Sequence, residues 1–136
     1  MLKILVIDDD PLVQEAIGVM LRARGDAVTF AADGKSGIDA ALTEAFDLVI
    51  VDLFLPGING LKVIETMRRS APRLPIIAAS GFMFKGEPPT MPNFAPMAAE
   101  AGAMATLYKP FRPQALEKAI AQALAGNATE KAVISS

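Results

Sequence analysis

The sequence predicts an open, three-layer α/β sandwich: a doubly wound, parallel, five-stranded sheet built as (βα)5. Three observations predict it. Short apolar runs recur five times, at Ile4–Ile7, Ala27–Phe30, Leu48–Val51, Pro75–Ala79 and Ala105–Tyr108, as strands of a parallel sheet require. Between them the apolar residues fall at helical spacing. Strand-then-helix alternation gives a parallel sheet covered on both faces through right-handed crossovers, and five units are too few to close a (βα)8 barrel.

The elements follow in order. Ile4-Leu5-Val6-Ile7 is the first strand. Asp10-Pro11 then opens a helix as N-cap and N1. Its expected buried face is Leu12, Val13, Ala16, Ile17, Met20 and Leu21, and Gly25 closes it. Ala27–Phe30 is the second strand. Ile38, Ala41, Leu42 and Ala45 mark a helix starting near Asp33-Gly34. The third strand, Leu48–Val51, ends at Asp52. Pro56-Gly57 and Asn59-Gly60 make a turn-rich loop before a helix carrying Leu61, Ile64 and Met67. The fourth strand ends at Ser80. Gly81–Pro92, with its prolines and glycines, reads as a loop, and Asn93 as the cap of a short helix through Phe94, Met97, Ala98 and Ala101, stopped by Gly102. The fifth strand ends at Lys109-Pro110. Ala115, Leu116, Ala119, Ile120, Ala123 and Leu124 line the last helix. One domain over residues 1–125 is expected, followed by a flexible polar tail over 126–136.

Composition removes whole classes of chemistry. The 136 residues include no Cys and no His. Disulfides, thiolate nucleophiles, zinc ribbons, imidazole metal sites and Ser-His-Asp catalysis are therefore excluded. What remains is carboxylate, hydroxyl, lysine and backbone chemistry, with a hard cation on oxygen ligands as the fitting metal. Lys+Arg is 13 and Asp+Glu 15, for a net charge of −2, and no basic run suggests a nucleic-acid surface. The charge-free stretches Leu74–Phe84 and Pro88–Ala99 are too short to span a bilayer. Asp8-Asp9-Asp10 ends the first apolar run too early for a signal peptide. A cytoplasmic domain that binds neither nucleic acid nor membrane is expected.

In an open α/β sheet the site lies at the carboxyl ends of the strands. Here those ends carry Asp8-Asp9, Asp52, Ser80 and Lys109. Three crowded carboxylates repel, and one lysine is insufficient compensation. A divalent cation bound by carboxylates and waters resolves this, and Mg²⁺ suits a site that also takes a phosphoryl ligand. A carboxylate beside such a cation can act as nucleophile toward phosphorus. Each residue also has a plain structural reading: Asp10 is a cap, Asp52 a loop acid, Ser80-Gly81 a turn and Lys109 a solvated strand end. Their coincidence at four strand ends favours the functional reading.

The motifs Leu5-Val6-Ile7-Asp8-Asp9-Asp10, Asp52 through Gly60, Ala78-Ala79-Ser80-Gly81 and Lys109-Pro110-Phe111 resemble those of two-component response-regulator receiver domains over about residues 2–125. That resemblance implies a flavodoxin- and CheY-like sheet of strand order 2-1-3-4-5. It implies Asp52 as the phospho-acceptor, with Ser80 and Lys109 reading the phosphoryl group. It implies Mg²⁺ on Asp9, Asp52 and the backbone carbonyl of Phe54, with Asp8 acting through water. It further implies a cis Lys109-Pro110 bond and a histidine kinase or histidine phosphotransfer protein as donor. Such a domain is no enzyme beyond its own phosphorylation and slow autodephosphorylation. After Ala125 only eleven residues remain, so a single-domain protein signalling by protein contact is expected; an excised receiver reads the same.

Three departures stand out. The switch position three residues before the lysine, usually aromatic, is Thr106, and Tyr108 shares its strand face. The interval from Ser80 to Lys109 is long, and its loop carries Phe82, Met83, Phe84 and Met91; loop 81–92 and the following helix are candidate contacts for a downstream target. Phe54 and Phe82 stand two residues after Asp52 and Ser80, where aromatic cover impedes water. The main alternative is a pseudo-receiver that binds partners without phosphorylation, which Thr106 keeps open. A haloacid-dehalogenase-type phosphohydrolase needs an Asp where Phe54 stands. A flavin carrier needs a phosphate cradle where Asp8-Asp9-Asp10 stand.

Overall fold

The computed structural model describes residues 1–80 and 95–135, with side-chain surroundings as far as residue 126. The elements run β1 (Lys3–Ile7), α1 (Pro11–Ala23), β2 (Ala27–Ala31), α2 (Gly34–Thr43), β3 (Leu48–Asp52), α3 (Gly60–Ser70), β4 (Ile76–Ser80), α4 (Ala95–Ala101), β5 (Ala105–Tyr108) and α5 (Pro113–Ser135). The five strands form one sheet in the order β2-β1-β3-β4-β5, and every pairing is parallel. The (βα)5 architecture and the 2-1-3-4-5 order both stand.

Strand alternation divides the core in two. Ile4, Val6, Leu48, Ile50, Ile77, Ala79, Ala105 and Leu107 face Ile17 and Leu21 of α1 and Leu116, Ala119, Ile120 and Ala123 of α5. Leu5, Ile7, Val49, Val51, Ile76 and Ala78 face Val63, Ile64 and Met67 of α3 and Ala98 of α4, with Ile38, Ala40 and Ala41 of α2 packed alongside. The central strands β1, β3 and β4 are therefore apolar on both faces, which is why they read as continuous runs.

Capping sets the helix starts. Asp10, Asp33 and Asn59 accept from Leu12 N, Ser36 N and Lys62 N at the N-termini of α1, α2 and α3. Gly25, at φ 91, lets the chain leave α1. Two glycines permit close packing. A Cβ at Gly37 would overlap the side chain of Ile7, and one at Gly60 would overlap the carbonyl oxygen of Asp52.

Several expectations need correction. Leu12 and Ala16 do not join the buried face of α1: Leu12 is 76% exposed and Ala16 is exposed. One sheet face receives only the narrower stripe centred on Ile17 and Leu21. Leu42 is likewise exposed, Ala45 lies beyond the end of α2, and Ala115 faces solvent. Residues 126–135 continue α5 where a tail was expected; Gly126 costs a helix about 1 kcal/mol but is no stop signal. The loop over 81–92 and the Asn93 cap lie outside the described residues, as does Phe82.

Candidate functional site

The carboxyl edge of the sheet carries the site because the polar residues directly follow apolar strands. By period-two alternation, Asp8, Asp52 and Lys109 extend the face occupied by α1 and α5. Ser80 extends the opposite face, along with Thr106 and Tyr108. Ladder bonds run one residue past the strands: Leu53 N donates to Ala79 O at 2.9 Å and Lys109 N to Ser80 O at 2.7 Å. The backbone carrying the site is thus cross-linked strand to strand.

The electrostatics centre on Lys109. Its Nζ lies 2.5 Å from Asp8 Oδ2 and 3.4 Å from Asp52 Oδ2. Asp8 is 2% exposed and Asp52 6%; Asp9 is exposed. One oxygen from each of Asp8, Asp9 and Asp52 lies within 4.8 Å of the others. Burial pushes the Asp8 carboxyl above its usual value of 3.8, opposed by the hydrogen bonds from Lys109 and from Asp10 N and by the Lys109 charge. With all three carboxylates ionised, a single ammonium leaves the cluster strongly negative. An all-oxygen donor set of this kind fits a hard divalent cation.

Each remaining atom has a definite surrounding. Asp52 Oδ1 accepts from Phe54 N at 3.0 Å, and Phe54 is 51% exposed. Asp8 Oδ1 accepts from Asp10 N at 2.9 Å. Gln14 Nε2 donates to the Asp8 carbonyl at 2.6 Å, a contact with no counterpart among the residues singled out from sequence. Ser80 is fully buried, and its Oγ has no hydrogen-bond partner among the described residues. The Lys109-Pro110 bond is cis.

The sequence-derived residues Asp8, Asp9, Asp52 and Lys109 are therefore brought together, with Ser80 on the neighbouring strand end. The switch candidates separate. Thr106 is half-buried, whereas Tyr108 is 41% exposed. Tyr108 lines a groove of about 580 Å³ along α5, beside Phe111, Arg112 and Lys118. Among the described residues, no helix is long and apolar enough to cross a membrane.

Comparison with known proteins agrees with this architecture. Residues 4–121 match the response regulator receiver domain family, and the chain belongs to that family. It is a signalling module of two-component systems with a CheY-like fold. The DNA-binding response regulator MtrA of Mycolicibacterium smegmatis is 32% identical over 130 residues, covering 96% of this chain and 54% of that protein. The chain spans between about a fifth and about half of the curated relatives it matches. A CheY-like receiver domain protein from Methanospirillum hungatei JF-1 superposes with a TM-score of 0.81 at 25% identity, over 96% of this chain and 98% of that one. The receiver domain of the sensor histidine kinase PA1611 from Pseudomonas aeruginosa PAO1, solved with a magnesium ion in its active-site cleft, gives a TM-score of 0.73 at 29% identity, over 86% of this chain and 92% of that one.

Proposed function

We propose that this chain accepts a phosphoryl group on Asp52 from a partner phosphohistidine or a small acyl phosphate, and that the phosphorylated form signals by protein contact. The observation that carries this reading is the Lys109 ammonium set between Asp8 and Asp52. An Asp52 oxygen forms a new bond to phosphorus. As it does, the P–N bond of a phosphohistidine breaks and its electron pair passes to the imidazole, or the P–O bond of an acyl phosphate breaks and its electron pair leaves with the carboxylate. Phosphoryl transfer of this kind needs mainly positioning and charge neutralisation. Lys109 turns from the Asp52 oxygen to a phosphoryl oxygen. Ser80, buried and without a partner among the described residues, donates its hydroxyl to another.

Asp9 and Asp52 are the proposed direct ligands for Mg²⁺, together with the Phe54 carbonyl. Asp8 has one oxygen on Asp10 N and the other on Lys109, which suits contact through water. The ion, when bound, neutralises phosphoryl oxygens. The proposed setting is the cytoplasm, with a histidine kinase or histidine phosphotransfer protein as donor. The downstream target is a protein; contact with loop 81–92 and the following helix belongs to this proposal. DNA binding, in the relative so named, is attributed to that longer protein. The proposed unit is the receiver over residues 1–125.

Intact mass after incubation with acetyl phosphate and Mg²⁺ tests the reading. The parent gains one phosphate and Asp52→Asn gains none. No gain in the parent favours the pseudo-receiver reading, which rests on Thr106 and the exposed Tyr108 in the proposed switch positions.

A further inference from the structure

We infer that Gln14 is the positioning residue for the Asp9 carboxylate, an inference that rests on the metal site proposed above. Asp9 is exposed, and its direction is set by the two peptide planes flanking it. The plane between Asp8 and Asp9 carries the Asp8 carbonyl, which accepts from Gln14 Nε2 at 2.6 Å. The plane between Asp9 and Asp10 carries the Asp10 N–H, which donates to Asp8 Oδ1 at 2.9 Å. Both rotations about the Asp9 Cα are thereby restrained, one by a side chain from α1 and one by its own neighbour.

Gln14 acts on this turn twice. Its backbone N–H donates to the Asp10 carbonyl at 3.0 Å, closing the first turn of α1. Its side chain then reaches back past Asp9 to the Asp8 carbonyl. That carbonyl lies beyond the last ladder bond of β1, the one from Asp8 N to Ala31 O, so the Gln14 amide supplies what the sheet no longer does. The half-buried Gln14 thus locks the β1–α1 turn to the helix. A hydrogen-bonded support behind a ligand typically changes metal affinity about 10–100-fold, and an exposed carboxylate on an unsupported turn must be ordered by the ion itself.

The test is Gln14→Met, which keeps length and helix propensity and loses only the amide. Calorimetric titration with MgCl₂ at neutral pH gives a dissociation constant raised about tenfold, alongside a modest fall in the urea midpoint of the metal-free protein from the lost partner of the Asp8 carbonyl. A merely structural glutamine would lower the midpoint and leave the dissociation constant unchanged, and that result overturns the inference. A second arm needs no metal: amide exchange at Asp10 rises several-fold in Gln14→Met, with β1 unaltered. Unchanged exchange there also overturns it. A parent that binds no Mg²⁺ sinks the metal reading, and the exchange arm then decides separately whether Gln14 orders the turn.

Discussion

The backbone N–H of Phe54 donates to Oδ1 of Asp52 at 3.0 Å, so the proposed acceptor carboxylate is held by the residue whose ring stays half exposed two positions later. A phenyl ring offers an approaching water neither a donor nor an acceptor. An acyl phosphate on Asp52 is therefore expected to decay slowly. In Phe54→Asn the side-chain amide can orient that water. One hydrogen bond of about 0.5–1.5 kcal/mol corresponds to decay faster by roughly two- to tenfold. The check is the loss of the phosphorylated mass with time; a parent that decays as fast as the variant contradicts the prediction.

The raised Asp8 carboxyl gives a pH signature. Its folded value lies above the usual 3.8, so the native state holds this proton more tightly than the unfolded chain. The stabilising contribution is full below 3.8 and is lost as pH rises through the folded value. Above that, the metal-free protein carries a buried, ionised Asp8. Urea unfolding of metal-free protein across acid pH should show this loss, and Asp8→Asn should remove it. An Asp8→Asn profile parallel to the parent at every pH speaks against the assignment.

The proposed Mg²⁺ would compete with protons at the same cluster of Asp8, Asp9 and Asp52. Its stabilising effect should be small at acid pH and full near neutrality, reaching about 2.7 kcal/mol at a concentration about one hundred times the dissociation constant. Thermal or urea melts with and without MgCl₂ measure it. Asp9→Ala should abolish the Mg²⁺-dependent part while leaving the metal-free protein folded.

Gly60 is required for packing rather than for a turn. A Cβ there would overlap the Asp52 carbonyl oxygen and the Leu53 Cα, both backbone atoms, and the Gly60 N–H also bonds Leu53 O at 3.0 Å. Gly60→Ala should destabilise the fold by about 1–3 kcal/mol through overpacking. It should also displace Asp52, the proposed acceptor, lowering the yield of phosphorylated protein. Gly57, where an added Cβ would meet nothing within 4 Å, serves as the control: its φ of 80 makes Gly57→Ala costly through backbone strain while leaving the Asp52 carbonyl in place.

The strands were legible because β1, β3 and β4 are buried on both faces and so read as unbroken apolar runs. The strand-end residues were legible for the same reason: a carboxylate, hydroxyl or ammonium directly after such a run has few places to go. Helix faces were less so. Leu12 and Ala16 share the helical period with Ile17, but which part of an apolar arc meets the sheet depends on the crossing of helix and strand. The extension of α5 past Gly126 was hidden by a residue that weakens a helix without ending it. Gln14 carried no signal at all. A glutamine in the first turn of a helix is ordinary, and only the three-dimensional return of its amide to Asp8 distinguishes it.

Asp8 and Lys109 stand 101 positions apart in the chain, yet the strand order sets Asp8, Asp52, Ser80 and Lys109 on four consecutive ribbons of one sheet. Their mutual spacing is therefore inherited from the hydrogen-bond pitch between strands, about 4.8 Å, and not from the length or composition of any connecting segment. The loops on the amino-terminal side can lengthen, shorten or be reconnected without altering that pitch. The chemistry is a property of the weave, and the order in which the thread was laid down is free to vary.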